Sequence, residues 1–322
     1  MSSIGISCSF EFIESRKKVT KSKIKTYSVE SFRESYIQTE PRIDTLLKLD
    51  FGKFFVVKVD ELIRLIKLPV PPVRSTNHTL IYLTDGEAIM TVGSETHKIV
   101  KDECLVVPAG QVFSFANLDL NQGYLCNFHN DMIIGKFGKA ELLKDFDFLR
   151  VWGNPRISLD GQTSDFVAHL FRRILLAYSE NGLTDLDIIQ SYFVALLCEI
   201  NRVYKPMSSS TQTNAVTITN RFKELLFSTL KTNHRVTDYA TLLNITPNHL
   251  NKSVRTIIGK SPTKWIDEAI VLEAKVLLHQ SALSISDVAA EVGIFDASYF
   301  SRLFKKYEGV TPLAFRQMIE KS

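Results

Sequence analysis

Between residues 50 and 130 the chain alternates short apolar runs with polar breaks. FFVVKV, TLIYLT, EAIMTV, HKIV, ECLVVP and VFSF are rich in β-branched and aromatic residues. Turn-forming pairs and triplets such as Asp85-Gly86 and Pro108-Ala109-Gly110 fall between them,. Many short strands at this spacing predict a barrel or sandwich. The period then lengthens. Ser164–Ser179 places Phe166, Leu170, Ile174 and Ala177 on one helical stripe. Asp185–Tyr204 places Ile188, Ile189, Tyr192, Phe193, Leu196, Leu197, Ile200 and Val203 on another,. Asn181-Gly182 between them is a helix stop, so the pair predicts a helical hairpin, its second stripe wide enough for the barrel or another subunit.

The segment KPMSSSTQTNAVT, residues 205–217, is polar and has no apolar period, which predicts a flexible linker,. Beyond it the chain repeats itself. Sliding residues 248–262 forward by fifty pairs Leu250 with Phe300, Lys252 with Arg302, Val254 with Phe304, Gly259 with Gly309 and Pro262 with Pro312. Upstream, Thr237-Asp238-Tyr239-Ala240 matches Ser286-Asp287-Val288-Ala289 at an offset of forty-nine, so one residue is inserted in the intervening turn.

Each copy predicts helix, turn, helix. Thr237 and Ser286, each followed by Asp, suit a capped first turn. Asn244 and Gly293 suit its end, and the second helices should begin near Pro247 and Ala297. Leu250, Val254 and Ile257 form one buried stripe, and Phe300, Phe304 and Tyr307 the other. The opposite faces carry Asn248, Lys252 and Arg255 in the first copy and Ser298, Arg302 and Lys305 in the second, without an acidic residue. Arg pairs with guanine, Asn with adenine, and flanking Lys and Arg neutralise phosphate. A solvated cationic face on a plain helical bundle is the bland alternative for any one helix. Two copies with the same spacing, stops and face favour the DNA-reading pair.

Composition changes this picture little. At 322 residues, 45% hydrophobic and 23% charged, the chain has room for two ordinary globular domains,. No run reaches the ~18 apolar residues of a membrane span, and no signal peptide is expected. Cys8, Cys104, Cys126 and Cys198 are scattered without a CxxC pair, which fits a cytoplasmic location,. The net charge of +4 matches the region from Ala215 onward, with 14 Lys and Arg against 10 Asp and Glu. The basic run at Arg16, Lys17, Lys18, Lys21, Lys23 and Lys25 reads as a solvated tail.

Residues 236–316 resemble the DNA-binding domain of the AraC/XylS family of bacterial transcription activators. SISDVAAEVGIFDASYFSRLFKKYEGVTPLAFR is similar to that family's signature, including G-x-T-P-x-x-F-R at Gly309–Arg316. The resemblance implies two helix-turn-helix units joined by a long helix, about Thr263–His279. Its base-contacting positions fall on Asn248, His249, Asn251 and Lys252, and on Ala297, Ser298, Ser301 and Arg302. Arg255, Lys305 and Lys306 complete the expected DNA-binding set. Ile270 replaces an arginine common in the linking helix, and Ile294-Phe295 replaces the usual Phe and polar residue.

Residues 78–130 resemble the cupin barrel that serves as sensor in this family, with Pro108-Ala109-Gly110, Phe113 and Asn117 on the second motif's frame. Phe113 stands at a metal-ligand position, Asp102 at the motif's first glycine and Thr79 at the first motif's Glu, leaving His78 alone. His78 and His97 therefore read as ordinary strand or turn residues, and no metal or cofactor is expected. Tyr82, Phe113 and Phe115 are the candidate effector pocket.

The expected architecture is multidomain α+β: a tail (1–30), a cupin-like barrel (31–160), a helical hairpin and possible dimer interface (161–204), a linker (205–217) and an all-α double helix-turn-helix domain (218–322). The expected function is a transcription regulator, an activator by resemblance, that binds double-stranded DNA, answers a small-molecule effector and meets RNA polymerase, without membrane association or enzyme activity. Two readings compete: an N-terminal domain that only dimerises or recruits a protein, and a metal-dependent cupin enzyme.

Overall fold

The computed structural model describes residues 26–116, 121–134, 146–150, 154–204 and 214–320. The basic run between Arg16 and Lys25, Cys8, Asn117 and most of the expected linker lie outside these residues. Thr26–Tyr27 already form a strand, β1, and Val29–Tyr36 a helix, α1, so the last positions of the expected tail are structured.

The N-terminal part is organised by one long strand. β4 runs His78–Val92 and bends through Asp85-Gly86, where a turn was expected. The reason is a register shift against β8 (Asn121–Phe128) between Leu83 and Asp85, with Gly86 at φ +78°. A bulge with a left-handed glycine bends a strand without ending it. The first half of β4 pairs with β6 (Glu103–Val107) and β8, and β8 pairs in turn with β2 (Phe54–Lys58). Its second half pairs with β5 (Glu95–Val100) and β7 (Val112–Phe115), and β7 pairs with β3 (Val70–Ser75). β1 joins β3 in parallel and β9 (Arg156–Ser158) closes against β6. The sheet wraps around an interior that includes Val73, Ile81, Leu83, Leu105 and Phe113. Two short helices, α2 (Pro41–Leu46) and α3 (Val59–Leu62), complete this part.

The outer face of the same sheet is covered too. Leu80, Tyr82, Val106 and Phe128 point away from the interior and pack with α4 (Gly161–Asn181) and α5 (Leu186–Val203). Asp160 caps α4 by accepting the Thr163 amide at 2.7 Å, and Gly182, at φ +60°, ends it as the sequence implies. Phe193 stacks edge-on against Phe54 and Phe128, with centroids 5.3 and 4.7 Å away. Burying each such ring contributes roughly 1.5–3 kcal/mol.

The hairpin stripes are shifted from expectation. On α4 Ile174 and Ala177 are buried as expected, joined by Val167, Phe171 and Tyr178, while Leu170 is half-buried and Phe166 exposed. On α5 the inner residues Ile189, Phe193, Leu196, Leu197 and Ile200 serve the chain's own core, while Ile188 and Tyr192 face outward.

The C-terminal part is all helix: α6 (Asn214–Thr229), α7 (Val236–Leu242), α8 (Pro247–Ile258), α9 (Pro262–Gln280), α10 (Ile285–Glu291), α11 (Ala297–Glu308) and α12 (Pro312–Glu320). Residues 214–217, read above as linker, belong to α6. Its core gathers Phe222, Tyr239, Leu250, Ile270, Ala274, Val288, Phe300 and Phe304. Ile270, where the family resemblance suggests arginine, is buried in that core.

The two parts meet along α6 and α9. Arg74 on β3 pairs with Glu273 on α9, both sides mostly buried. Phe227 of α6 sits over Gly110, where a Cβ would meet its ring at 3.1 Å, tighter than ordinary contact, and Gly110 holds a left-handed φ of +81°.

Candidate nucleic-acid interface

The two helix-turn-helix units are built by the same hydrogen bonds. In the first, the Leu243 amide donates to the Tyr239 carbonyl and the Ile245 amide to that of Ala240. In the second, Val292 donates to Val288 and Ile294 to Ala289. Asn244 and Gly293 occupy the same left-handed turn position, at φ +54° and +86°.

The first helices differ from the capping read in the sequence. Thr237 and Ser286 lie inside their helices, and the caps are Arg235 and Ser284. Asp238 and Asp287 reach back to accept the Arg235 and Ser284 amides at 3.0 and 3.3 Å. This is the third-position half of a capping box, and it leaves the threonine and serine two residues too late to cap.

The second helices begin at Pro247 and Ala297, as expected. Thr246 caps α8 by accepting the His249 amide at 3.2 Å. Asp296 caps α11 by accepting the Ser298 and Tyr299 amides at 2.8 and 3.0 Å. Gly259 and Gly309, at φ +75° and +76°, terminate both. The left-handed turn there forces out any side chain that would cost steric strain.

The faces separate cleanly. Leu250 and Val254 are buried in the first unit, with Ile257 half-buried. Phe300 and Phe304 are buried in the second, with Tyr307 half-buried and bonded to Asp267 at 2.9 Å. Asn248, His249, Lys252 and Arg255 are exposed on α8, as are Ser298, Arg302, Lys305 and Lys306 on α11. Asn251, Ala297 and Ser301 are half-buried at the edge of that surface. The Asn251 amide nitrogen donates back to the Pro247 carbonyl at 3.0 Å, which fixes its side chain along the helix. Glu308, the acid at the end of α11, is paired with Lys275 at 2.8 Å and adds no free negative charge there. Two exposed aromatics stand beside this surface without having been assigned to it: Phe295, 91% exposed, and Tyr299.

The proposed effector residues divide. Phe113 and Phe115 line a cavity of about 120 Å³ in the barrel, with Phe32, Met90 and Leu105. Tyr82 does not. It points to the other side of its sheet, where its hydroxyl bonds Ser164 at 2.8 Å and its ring stacks on Phe171. Successive strand residues face opposite sides, so Ile81 and Leu83 take the interior and Tyr82 is excluded from it. Among the described residues, no charged side chain lines the cavity. Asn121 contributes a buried Oδ1 with no hydrogen-bond partner among the described residues.

His78 is structural. Its Nε2 donates to Asn130 Oδ1 at 2.8 Å, its Nδ1 accepts the Ala109 amide at 3.0 Å, and its ring stacks on Phe128. Burial pushes its pKa down to about 4, so the ring is neutral. His97 lies on β5 beside a second cavity, between the two parts of the chain. Among the described residues, no three His, Cys, Asp or Glu side chains converge as metal ligands.

Sequence reasoning missed the contacts around that second cavity. Lys260 bridges Glu95 and Glu268 at 2.7 and 3.5 Å. Lys223 is fully buried with its ammonium 5.1 Å from the Trp265 ring, and burial lowers its pKa to about 8. Lys260 and Glu95, and Lys223 and Trp265, are far apart in sequence and leave no local signal.

A helix-turn-helix domain family matches residues 239–318. The Msm operon regulatory protein of Streptococcus mutans is 24% identical over 258 residues, 78% of this chain and 87% of that protein. The arabinose operon regulatory protein of Escherichia coli is 36% identical over 72 residues, 22% of this chain and 25% of that protein. ToxT from Vibrio cholerae aligns over 83% of this chain and 98% of its own, at 15% identity and a TM-score of 0.41. The chain thus spans most of the first relative and a quarter of the second.

Proposed function

We infer that this chain, a DNA-binding transcription regulator with an AraC-type helix-turn-helix domain, reads its operator with α8 and α11 in successive major-groove segments. The observation that carries this reading is the duplicated unit itself. Two equally capped helices, held by one connecting helix, each present an exposed face without free acids. Arg302 is assigned a bidentate bond to guanine, and Asn248 and Asn251 contacts to adenine. His249, Ser298, Ser301 and the Ala297 methyl complete the base-facing set. Lys252 joins the base-facing set, and Arg255, Lys305 and Lys306 neutralise phosphate.

The barrel cavity is assigned to a small, uncharged and largely apolar effector carrying one hydrogen-bond donor for Asn121 Oδ1. An uncharged lining offers nothing to offset the desolvation of an ionised ligand. β7 gives the route to the DNA-binding domain, because Val112 borders the interdomain cavity while Phe113 lines the barrel cavity. An effector that favours one docking of the two parts shifts operator affinity, by a typical ~1–3 kcal/mol.

Activation through RNA polymerase and a cytoplasmic setting are assigned by analogy with relatives such as the transcriptional activator RhaR of Escherichia coli. No catalytic role is assigned. No helix of the described residues is long and apolar enough to cross a membrane. Self-association is assigned to the outer hairpin face, where Phe166, Leu176, Ile188 and Tyr192 are exposed. Ile188→Lys tests it better than a change at Leu196, which is wholly buried. A monomeric mass, unchanged with concentration up to tens of micromolar in the wild type, would remove this assignment.

Footprinting with a salt titration tests the main reading. The full chain should protect two adjacent major-groove segments, with affinity falling steeply as salt rises. Lys305→Ala should weaken binding to all sequences about equally. Uniform protection without sequence preference would refute it.

A further inference from the structure

The repeat identifies one residue that the second unit has and the first lacks. Ile245 and Ile294 are equivalent, since each donates its amide to the corresponding alanine carbonyl across the turn, at 3.0 and 2.8 Å. Thr246 and Asp296 are also equivalent, as the caps of α8 and α11. Thr246 follows Ile245 directly, whereas Phe295 stands between Ile294 and Asp296. Phe295 is therefore the inserted residue. It is 91% exposed, while the isoleucine before it is buried and anchors the turn. The scaffold does not need its side chain.

Its position is held from both sides. Ile294 is tied to Ala289 on one side, and the Asp296 carboxylate is bonded to two backbone amides on the other. The ring thus stands at the N-terminal end of the second recognition helix. Tyr299 lies one turn further on, and Tyr299, Arg302 and Lys306 follow at i, i+3 and i+7, all exposed,. The aromatic edge is continuous with the face that carries Arg302.

A helix-turn-helix places the N-terminal residues of its second helix against base edges. In the major groove those edges are hydrogen-bonding groups, and the apolar exception is the thymine C5 methyl. A phenyl ring has no bond to offer a phosphate or a base amide. We propose that Phe295 is a specificity residue that packs on a thymine methyl at the edge of the segment read by α11. This proposal rests on the DNA-reading role of that helix.

The experiment uses full-length protein and duplexes obtained by selection from random sequence. Each thymine in the element read by α11 is then replaced singly by uracil, which removes only the methyl. One replacement should weaken wild-type binding about fourfold, the equivalent of roughly 0.8 kcal/mol for one buried carbon. Phe295→Ser should show that loss already on the unmodified duplex and be indifferent to the replacement. Thermal unfolding should match wild type, because the site is exposed. Equal wild-type binding to every thymine and uracil duplex would overturn the proposal while leaving DNA reading intact. So would a Phe295→Ser variant with unchanged DNA binding and lost transcription by purified RNA polymerase, which would assign the ring to a protein partner. A wild type that selects no sequence would overturn the DNA reading and this proposal together.

Discussion

Lys260 Nζ lies 2.7 Å from Glu95 Oε1, joining the end of the first recognition unit to a barrel strand 165 positions earlier. With Arg74–Glu273, it fastens the DNA-binding part to the barrel by charge as well as by the packing of Phe227 over Gly110. The two links are unequal. Glu95 is half-exposed, and exposed pairs contribute about 0–1 kcal/mol,. Arg74 and Glu273 are both mostly buried, and removing one partner strands the other's charge out of water,.

Glu273→Gln should therefore destabilise docking more than Lys260→Gln, by about 1–3 kcal/mol against less than about 1. The reversed pair Arg74→Glu with Glu273→Arg should recover part of the loss. Thermal unfolding, with proteolysis of the 205–213 connection as a second readout, checks this. Equal effects of the two single variants would show that the buried pair does not hold the interface.

Phe113→Ala should enlarge the barrel cavity and cost about 3 kcal/mol, the lower end for a buried phenylalanine because its neighbours already border space,. It should alter the effector response of the full chain, whereas the 214–322 fragment, which lacks the barrel, should bind DNA without responding to effector. Titration of operator binding with a metabolite extract, on chain and fragment in parallel, is the measurement. An effector response retained by the fragment would place the sensor outside the barrel.

His78 sets a pH dependence of known sign. Its folded pKa, about 4, lies below the ordinary value of 6.5 because burial disfavours the charged ring. Above pH 6.5 the ring is neutral in both states and costs nothing. As pH falls from 6.5 toward 4, the unfolded chain takes up a proton that the folded chain refuses, so stability declines by about 1.4 kcal/mol per unit. Urea unfolding of wild type and His78→Gln between pH 7.5 and 5 should give a steeper decline for wild type. Parallel curves would mean that His78 titrates normally.

The DNA-binding half was legible because its information is local. Stops and apolar spacing lie within a turn or two of one another, and Asn244, Gly259 and Gly309 mark ends that the backbone also marks, although Thr237 and Ser286 lie inside their helices rather than capping them. The barrel was legible as strands but not as faces. Tyr82 was misassigned because its sheet is buried on both sides, so the alternation at 80–83 distinguishes two faces without saying which one lines the cavity. Asp85-Gly86 has a turn's composition, yet a bulge uses the same left-handed glycine. The interdomain pairs were invisible, since nothing near Arg74 points to a partner 199 residues away.

The central claim is that α8 and α11 read separate segments of one operator. Binding-site selection with wild type, Asn248→Ala and Arg302→Ala tests it directly. The expected wild-type motif has two elements about 10 base pairs apart, one helical turn. Asn248→Ala should relax preference only in one element. Arg302→Ala should relax a guanine only in the other, with a loss of about 1–3 kcal/mol on the best site. A single-element motif, both variants relaxing the same positions, or an Arg302→Ala variant with unchanged preference and affinity would contradict it.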